Sequence, residues 1–389
     1  ELCALFQRAD TKYNSGLFHF KKEKGVSSPP DDLTLSLALD DKVLKDILLN
    51  LYYPKSPYAF LYIPSDILGQ VYERFLGKVI RLTANHQAKV EEKPEVRKAG
   101  GVYYTPTYIV EYIVQNTVGK LVEGKTPKEV AALKIVDPAC GSGTFLLGAY
   151  QYLLDWHLGW YTANEPEKWE KAKALVKVQG GWRLTTAKKK EILLDNIHGV
   201  DIDAQAVEVT KLSLLLKVLE NAAGQLSLGL ERALPDLGGN IQCGNSLIGF
   251  DYFQGQLLPD KAELARVNPF DWARQFPGVF ARGGFDAVIG NPPYVRIQAM
   301  KECAPIEVEI YKQTYRSAAS GNYDIYVVFV EKALQLLNPK GRSGFILPHK
   351  FFNAQYGQPL RGLLSKGNKL AHVVHFGDQQ VFPGSTNYV

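Results

Sequence analysis

The pattern of apolar and polar positions divides the chain into two parts. In the first part, segments such as 40–53 and 65–80 carry apolar side chains at every third or fourth position, which is the period of an amphipathic helix. We therefore expect residues 1–98 to form a mostly helical segment. A charged link at 90–101, rich in residues that favour turns, leads into a second domain that we assign to residues 99–389.

From residue 133 onward, short apolar runs alternate with segments of helical period. This alternation predicts an α/β fold with a mostly parallel sheet and helices on both faces of the sheet. Ligands of such sheets bind at the carboxyl ends of the strands, so functional residues are expected there. The predicted strands lie at 133–139, 196–203, 239–247, 285–290, 341–348 and 370–378, and the main helices at 143–158, 204–220 and 323–337.

Two local features refine this outline. Thr105 is predicted to be the N-cap of a helix and Pro106 its first residue, because the missing N–H of proline costs nothing at that position. Residues 157–190 are rich in Trp, Lys and Glu, and we interpret them as an insertion into the α/β domain.

Composition narrows the class of protein. Hydrophobic residues make up 46% of the chain and charged residues 22%, as in ordinary soluble domains. No run approaches the ~18 apolar residues of a membrane span, and no signal peptide opens the chain, so a cytoplasmic protein is expected. Four scattered cysteines predict neither a disulfide framework nor a metal site, and a net charge of +5 is compatible with a polyanionic partner.

A glycine-rich turn follows the first predicted strand of the α/β domain. Asp137 ends that strand, and Gly141 and Gly143 let the backbone approach a ligand at the start of a helix. The third glycine of the dinucleotide fingerprint is absent, because Leu146 occupies its place. An acidic side chain at Asp137 repels a pyrophosphate but favours an ammonium group. The pattern therefore predicts a site for the methionine end of S-adenosylmethionine.

The next two strand ends carry polar residues suited to the rest of such a nucleoside. Asp201 is acidic and can accept hydrogen bonds from two ribose hydroxyls, and the Asn245 amide can address an adenine edge. The alternative is structural: a tight strand–helix turn in which Asp137 serves as a cap. Three successive strand ends with Asp, Asp and Asn favour the ligand site over that alternative.

A second candidate site follows the strand at 285–290. Asn291 and Pro292 can supply two oxygens that accept both hydrogens of one NH₂ group, while the prolines fix the backbone. Such a grip favours a pyramidal nitrogen and directs its lone pair at an electrophile. Tyr294 offers a ring for stacking. The pattern predicts methylation of a planar amine, the alternative being a Pro-Pro strand terminator before an exposed Tyr.

In these motifs the chain resembles the amino-methyltransferases that modify DNA adenine at N6. The resemblance covers residues from about 100 to 389, and the order of its motifs is that of the γ-type arrangement. RADTKYNSGLF, near the N-terminus, is similar to the segment before the methylase in type IIG restriction–modification enzymes and related phage-defence methyltransferases. The motifs are GVYYTPTYIV, DPACGSGTFL, GVDID, CGNSL, FDAVIGNPPY, GNYDIYVVFVEKAL, GRSGFILP and QQVFPGSTNYV.

The resemblance implies a Rossmann-like, S-adenosylmethionine-dependent methyltransferase fold in a prokaryotic protein that acts on double-stranded DNA. It implies a helix at YYTP that closes over the cofactor, a glycine loop that cradles the methionine part, and Ile202 against the adenine ring. The implied cofactor-binding residues are Tyr104, Thr105, Pro106, Asp137, Pro138, Ala139, Gly141, Gly143, Asp201, Ile202, Asn245 and Ser246. The implied catalytic residues are Asn291, Pro292, Pro293, Tyr294 and Phe382, where Phe382 supports the flipped base opposite Tyr294 and Tyr388 is a second choice for that role.

Two alternatives stay open. The same Asn-Pro-Pro-Tyr turn occurs in methyltransferases of protein glutamine and of rRNA amines, and a chain of this kind can also serve as an inactive DNA-binding or specificity subunit. Because the chain begins at Glu1 and stops at STNYV, we expect further sequence on at least the C-terminal side. That sequence, or a separate specificity subunit, is expected to carry target recognition, and no nuclease signature is evident within the 389 residues.

Overall fold

The computed structural model describes most of the chain beyond residue 104 and short pieces before it. The described residues are 4–5, 38, 40–52, 54–56, 71, 78–83, 87–92, 105–220, 234–253, 261–319, 321–367, 369–377 and 381.

The N-terminal pieces contain a helix and a strand pair. Helix α1 spans Asp41–Leu51, as its apolar period predicts, and the Asp40 side chain caps it by accepting a hydrogen bond from the Lys42 N–H. Strands β1 (Lys78–Leu82) and β2 (Ala88–Glu92) pair antiparallel. The helix predicted at 65–80 is therefore wrong at its end, since KVIRL is rich in β-branched residues and finds a strand partner ten residues later.

The α/β domain is built from seven strands in the described part of the chain. Five form a central sheet in the order β7–β6–β3–β8–β9, with every pairing parallel. The other two, β4 and β5, form a separate antiparallel hairpin. The strands are β3 (Ile135–Asp137), β4 (Leu175–Val178), β5 (Gly181–Leu184), β6 (Ile197–Asp201), β7 (Ile241–Cys243), β8 (Phe285–Gly290) and β9 (Leu337–Phe345).

Helices cover both faces of this sheet, as the alternating pattern predicts. Neighbouring side chains of β3 alternate between the two faces: Ile135 packs with residues of α4 and Val136 packs with residues of α13. The helices are α2 (Thr107–Val114, extended by a π-helical turn to Val122), α3 (Pro127–Ala131), α4 (Thr144–Ala163), α5 (Pro166–Lys171), α6 (Thr186–Asn196), α7 (Ala204–Leu219), α8 (Lys261–Val267), α9 (Trp272–Gln275), α10 (Pro277–Phe280), α11 (Ile297–Cys303), α12 (Pro305–Thr314), α13 (Tyr326–Leu336) and α14 (Gln358–Ser365).

The segment expected to be an insertion contains the hairpin. Its first residues, 157–163, continue α4, and its last, 186–190, begin α6. Between them lie α5 and the β4–β5 pair, which is separate from the central sheet. Among the described residues, no helix is long and apolar enough to cross a membrane.

Two expectations about the domain are wrong. The strand predicted at 370–378 is not formed in its described part, where residues 369–376 are irregular and Leu370 and Val373 are exposed. A strand needs a hydrogen-bonded neighbour, and an apolar run by itself does not supply one. The N-cap of α2 is Pro106 rather than Thr105, so the helix begins at Thr107.

Candidate active site

The central sheet contains a crevice at the carboxyl ends of its middle strands. From β3 the chain proceeds outward to β6 and β7, and it then returns to place β8 on the other side of β3. The strand order reverses between β3 and β8, and such a reversal opens the crevice in which α/β sheets bind ligands. Asp137 ends β3, Asp201 ends β6, and Asn291 follows β8, so the sequence-predicted residues converge on this edge.

The glycine turn after β3 is shaped by left-handed backbone. Gly141 has φ of +52° and Gly143 has φ of +85°, values that favour glycine. A Cβ at Gly143 would lie 2.8 Å from Thr210 Cγ2, whereas a Cβ at Gly141 would meet nothing within 4 Å. The Thr210 hydroxyl donates to the Gly141 carbonyl at 2.7 Å. One glycine thus fits against α7, and the other leaves open space beside the crevice.

Asp137 is a buried acid beside a second acid, Asp201. Its side chain is 2% exposed, and Oδ1 accepts a hydrogen bond from the Ala139 N–H at 2.9 Å. Burial, with a further contribution from the nearby Asp201, raises the pKa of Asp137 to about 8. Gly290 at the end of β8 makes this position possible, because a Cβ there would lie 2.6 Å from Asp137 Oδ1. A bound ammonium group would favour the carboxylate form.

Asp201 ties the second strand to the glycine turn. Its Oδ2 accepts from the Gly141 N–H at 2.8 Å and its Oδ1 accepts from the Asp203 N–H at 2.9 Å. Burial raises the pKa of this carboxyl group. The next side chain, Ile202, is 57% exposed. This pair offers acceptors for hydroxyl groups beside an apolar face for a planar ring.

The side chains of Asn245 and Ser246, which follow β7, form hydrogen bonds with other parts of the protein. Asn245 is 6% exposed, and its Oδ1 accepts from the Leu247 N–H at 3.0 Å. Tyr311, a residue that sequence reasoning missed, lies beside it: burial raises the pKa of the Tyr311 hydroxyl, and the Asn245 side chain opposes that rise. The Ser246 hydroxyl donates to the Pro138 carbonyl and so joins β7 to the glycine turn. Contact of Asn245 with a nucleobase therefore stays a prediction.

The Asn-Pro-Pro-Tyr turn is organised by side-chain hydrogen bonds. Asn291 Nδ2 donates to Thr105 Oγ1 at 3.0 Å, across a sequence separation of 186 residues. The Tyr294 hydroxyl donates to Asn291 Oδ1, and it also lies 3.0 Å from the Ile346 carbonyl oxygen beyond β9. Pro292 is buried and Pro293 is exposed. The structure thus joins Thr105, Asn291 and Tyr294 in one chain of hydrogen bonds.

The ring of Tyr294 is half-buried at the side of this turn. Tyr326 of α13 meets it edge-on, with ring centroids 6.0 Å apart, and the Tyr326 hydroxyl lies 3.0 Å from the Tyr356 hydroxyl. Aromatic edge contacts of this kind hold a ring in a fixed orientation. The partners Ile346 and Tyr326 were not predicted, since only the fold brings them to Tyr294. Tyr104, Phe382 and Tyr388 lie outside the described residues.

Other reactive side chains near the site are buried and inert. Cys140 is buried in the glycine turn, and desolvation raises its thiol pKa well above the ordinary value, which disfavours the nucleophilic thiolate. His198 in β6 packs edge-on against Phe276 and Phe285, and burial lowers its pKa to about 4. Both side chains therefore pack into the structure around the crevice.

These features define the chain as an α/β methyltransferase: a parallel sheet with a reversal between β3 and β8, a glycine turn after β3 and an Asn-Pro-Pro-Tyr turn after β8. Comparison with protein families makes the assignment narrower. A family model described as N-6 DNA Methylase matches residues 64–231, and one described as Eco57I restriction-modification methylase matches residues 195–382. The chain belongs to the N-6 DNA methylase family, among its Eco57I-like restriction–modification members.

Individual relatives agree with this assignment. The type II restriction enzyme and methyltransferase RM.Eco57I of Escherichia coli is 34% identical over 98% of this chain and 35% of its own length. The adenine-specific methyltransferase PglX of Streptomyces coelicolor is 26% identical over 72% of this chain and 22% of its own length. The chain thus spans about a third or less of these relatives. The solved structure of the type IIL restriction-modification enzyme MmeI in complex with DNA matches 93% of this chain and 44% of that chain, with a TM-score of 0.51 and 16% identity, and it shares the fold.

S-adenosylmethionine is the cofactor of this family, and the crevice fits it. Asp137 is an acid that a ligand ammonium would stabilise, Gly141 leaves open space, and Ile202 presents an apolar face. The bound cofactor supplies an electrophilic methyl group on a sulfonium.

Proposed function

We propose that this chain transfers a methyl group to the N6 amine of adenine in double-stranded DNA, as the modification activity of a restriction–modification or related defence system. The observation that carries the proposal is the position of Asn291, whose side-chain oxygen lies one residue beyond Gly290 at the crevice edge. Gly290 in turn approaches Asp137 closely. An acceptor for an amine thus adjoins the acid suited to the methyl donor.

The residues of the chain have distinct tasks in this reaction. The Asn291 side-chain oxygen and the Pro292 carbonyl oxygen accept the two hydrogens of the amine and direct its lone pair towards the methyl carbon. The bound cofactor would supply the methyl carbon: the nitrogen–carbon bond would form as the carbon–sulfur bond breaks, and the electron pair of the broken bond would stay on sulfur. The nitrogen becomes acidic once alkylated, so its proton leaves afterwards, and no strong general base is needed.

Adenine inside a duplex is out of reach of such a crevice, so the base is extruded from the stack. Extrusion costs a few kcal/mol, and stacking on an aromatic side chain offsets about 1–3 kcal/mol per base. We assign that stacking to Tyr294, with Phe382 on the opposite face of the base. Tyr104, with Pro106, is assigned to the lid over the cofactor, and Arg296 borders the pocket as a candidate phosphate contact.

The comparisons support DNA over the other amines. One relative is named a type II restriction enzyme and methyltransferase, and the other is named an adenine-specific methyltransferase. One matching family model is described as N-6 DNA Methylase and the other as a restriction-modification methylase. Methylation of protein glutamine or rRNA finds no comparable support. Target selection is proposed to reside in a recognition domain or a specificity subunit that acts together with this chain.

Transfer of a tritiated methyl group tests the proposal. The native protein is incubated with labelled S-adenosylmethionine and, in separate reactions, duplex DNA, structured RNA or a glutamine-containing protein. Label in DNA that is recovered as N6-methyladenine supports the assignment, and label in protein or RNA alone contradicts it. DNA from cells with and without the gene, read by modification-sensitive sequencing, then identifies the target sequence.

A further inference from the structure

We propose that Thr105 is a positioning residue for Asn291: its hydroxyl holds the Asn291 carboxamide with the oxygen towards the substrate amine. The inference deepens the proposed amine methylation and rests on it. It assigns to Thr105 a task different from the cofactor contact that the YYTP motif implies.

The contact joins a buried threonine to a half-buried asparagine. Thr105 is 3% exposed, and Asn291 Nδ2 donates to its hydroxyl oxygen at 3.0 Å. Pro106 follows Thr105 with a fixed φ of −55° and caps α2, whose Ile109 and Val110 are buried in the core. Because α2 and the proline anchor it, the threonine hydroxyl is a stationary acceptor rather than a mobile surface group.

A carboxamide needs such an anchor because its two ends have opposite hydrogen-bonding character. An NH₂ end turned towards the substrate would donate to an amine that also donates, and the two groups would repel. Thr105 engages the NH₂ end and leaves Oδ1 on the opposite side, where the Tyr294 hydroxyl donates to it. The hydroxyl of Tyr294 shows that this side of Asn291 receives donors.

The Tyr294 hydroxyl also provides a way to free that oxygen. A phenol carries one proton, and this one lies within reach of both Asn291 Oδ1 and the Ile346 carbonyl at 3.0 Å. When a substrate amine approaches, the proton can turn to Ile346 while Oδ1 receives the amine. Thr105 keeps the carboxamide from rotating during this exchange.

Thr105→Val removes the acceptor and keeps the shape of the side chain. We expect the single-turnover rate at saturating S-adenosylmethionine to fall about 5- to 30-fold, the range of one lost buried hydrogen bond. Thr105→Ser, which restores a hydroxyl, should recover most of the rate. Thr107→Val, at an exposed position of the same helix, is the matched control and should leave the rate unchanged.

An aspartate at position 291 provides the sharper test. A carboxylate presents an acceptor whichever way it turns, so orientation by Thr105 becomes unnecessary. In the Asn291→Asp background, Thr105→Val should lower the rate less than about threefold, so the two changes are non-additive. A purely structural role predicts equal losses in both backgrounds and would overturn the inference.

Cofactor affinity separates the remaining outcomes. Calorimetry with S-adenosylmethionine should give the same Kd for wild type and Thr105→Val; a weaker Kd with an unchanged rate at saturation contradicts the inference and favours a cofactor contact. Thermal melting identifies a valine variant that folds poorly, in which case Thr105→Ala and the serine variant replace it. If wild-type protein methylates RNA or protein but no DNA, the proposed function fails while the Thr105 comparison still stands on that substrate.

Discussion

Two regions of the proposed active site are built in different ways. The donor crevice is the region around Asp137 and Asp201, and the amine site is the turn that contains Asn291 and Tyr294. In the crevice, backbone N–H groups hold the two acids: Ala139 and Asp203 donate from two residues away, and Gly141 donates to Asp201 from 60 residues away. Two left-handed glycines shape the loop. At the amine site, the contacts of Asn291 and Tyr294 reach Thr105 and Ile346, which are 186 and 52 residues away along the chain. The two acids proposed to bind the cofactor are thus held by backbone N–H groups, whereas the Asn291 amide is held by the side chains of Thr105 and Tyr294.

Removal of the Asn291 carboxamide should produce the largest effect and should spare the donor crevice. Asn291→Ala is expected to lower the methyl-transfer rate about 100- to 1,000-fold, the loss typical of a polar group aimed at the reacting centre. The Kd for S-adenosylmethionine, measured by calorimetry, should stay within twofold of wild type. An unchanged rate would contradict the assigned mechanism.

Gly290→Ala should damage the crevice instead. A new Cβ would lie 2.6 Å from Asp137 Oδ1, and overpacking of this kind costs about 1–3 kcal/mol. If this cost falls on the cofactor-bound state, cofactor affinity should fall about 5- to 150-fold, since each 1.4 kcal/mol corresponds to a factor of ten. Gly159→Ala in α4 is the control, because a Cβ there meets nothing within 4 Å. If both variants bind the cofactor with equal affinity, Asp137 does not contribute to cofactor binding.

Substitution of Tyr294 should lower the methyl-transfer rate and leave the affinity for the cofactor unchanged. Loss of the stacking ring in Tyr294→Ala is expected to lower the rate by about 5- to 100-fold, which corresponds to 1–3 kcal/mol of base stacking. Tyr294→Phe keeps the ring, and its rate should stay within about threefold because Asn291 is still held by Thr105. Base extrusion can be followed by the fluorescence of 2-aminopurine at the target position. If the alanine variant loses cofactor affinity and rate equally, Tyr294 is structural only.

The pH dependence of cofactor binding gives a smaller and graded effect. The pKa of Asp137 is raised to about 8, so at pH 6 most of the protein carries the neutral acid, which a cationic ligand must deprotonate. Affinity should therefore rise by up to about tenfold per pH unit from pH 6 towards pH 8. Asp137→Asn should bind weakly at every pH, and the exposed Asp155→Asn should behave as wild type.

The same acid affects the stability of the ligand-free protein. The folded state keeps the Asp137 proton up to about pH 8, whereas the unfolded chain loses it near pH 4. The contribution of Asp137 to the free energy of unfolding should thus be fully present below pH 4 and should decline as the pH rises towards 8. Thermal melting of Asp137→Asn should lack this decline, so the variant should melt above wild type at pH 8. A wild-type advantage at that pH would contradict the raised pKa.

The contrast between the two sites also explains which parts of the molecule the sequence could predict. Buried strands such as Phe285–Gly290 are short apolar runs, and the glycine turn carries its own backbone requirement, so the sheet and the crevice were predicted. The close approach of Gly290 to Asp137 had a signal, since glycine at a strand end often marks such a contact. The contact of the Thr105 hydroxyl with Asn291 had no such sequence signal. A threonine before a helix looks the same in sequence whether it caps the helix or accepts a hydrogen bond from a distant amide.

Elsewhere the sequence was misleading for a related reason. Residues 78–82 have apolar side chains compatible with a helix, but their partner at 88–92 makes them a strand. The run at 370–378 has the apolar content of a strand, but its described part pairs with no other strand. In both cases the deciding interaction is pairing, which composition does not encode.

Strands β3 and β8 are direct neighbours in the sheet. Asp137 of the donor crevice ends β3, and Asn291 of the amine site follows β8. Adjacent strands are about 4.8 Å apart, a spacing set by backbone hydrogen bonds and independent of side-chain identity. In the proposed reaction, the spacing between the donor side and the amine side of the site is therefore set by the backbone hydrogen bonds between β3 and β8. Under that proposal, changes in the loops outside the sheet would leave this spacing unaltered.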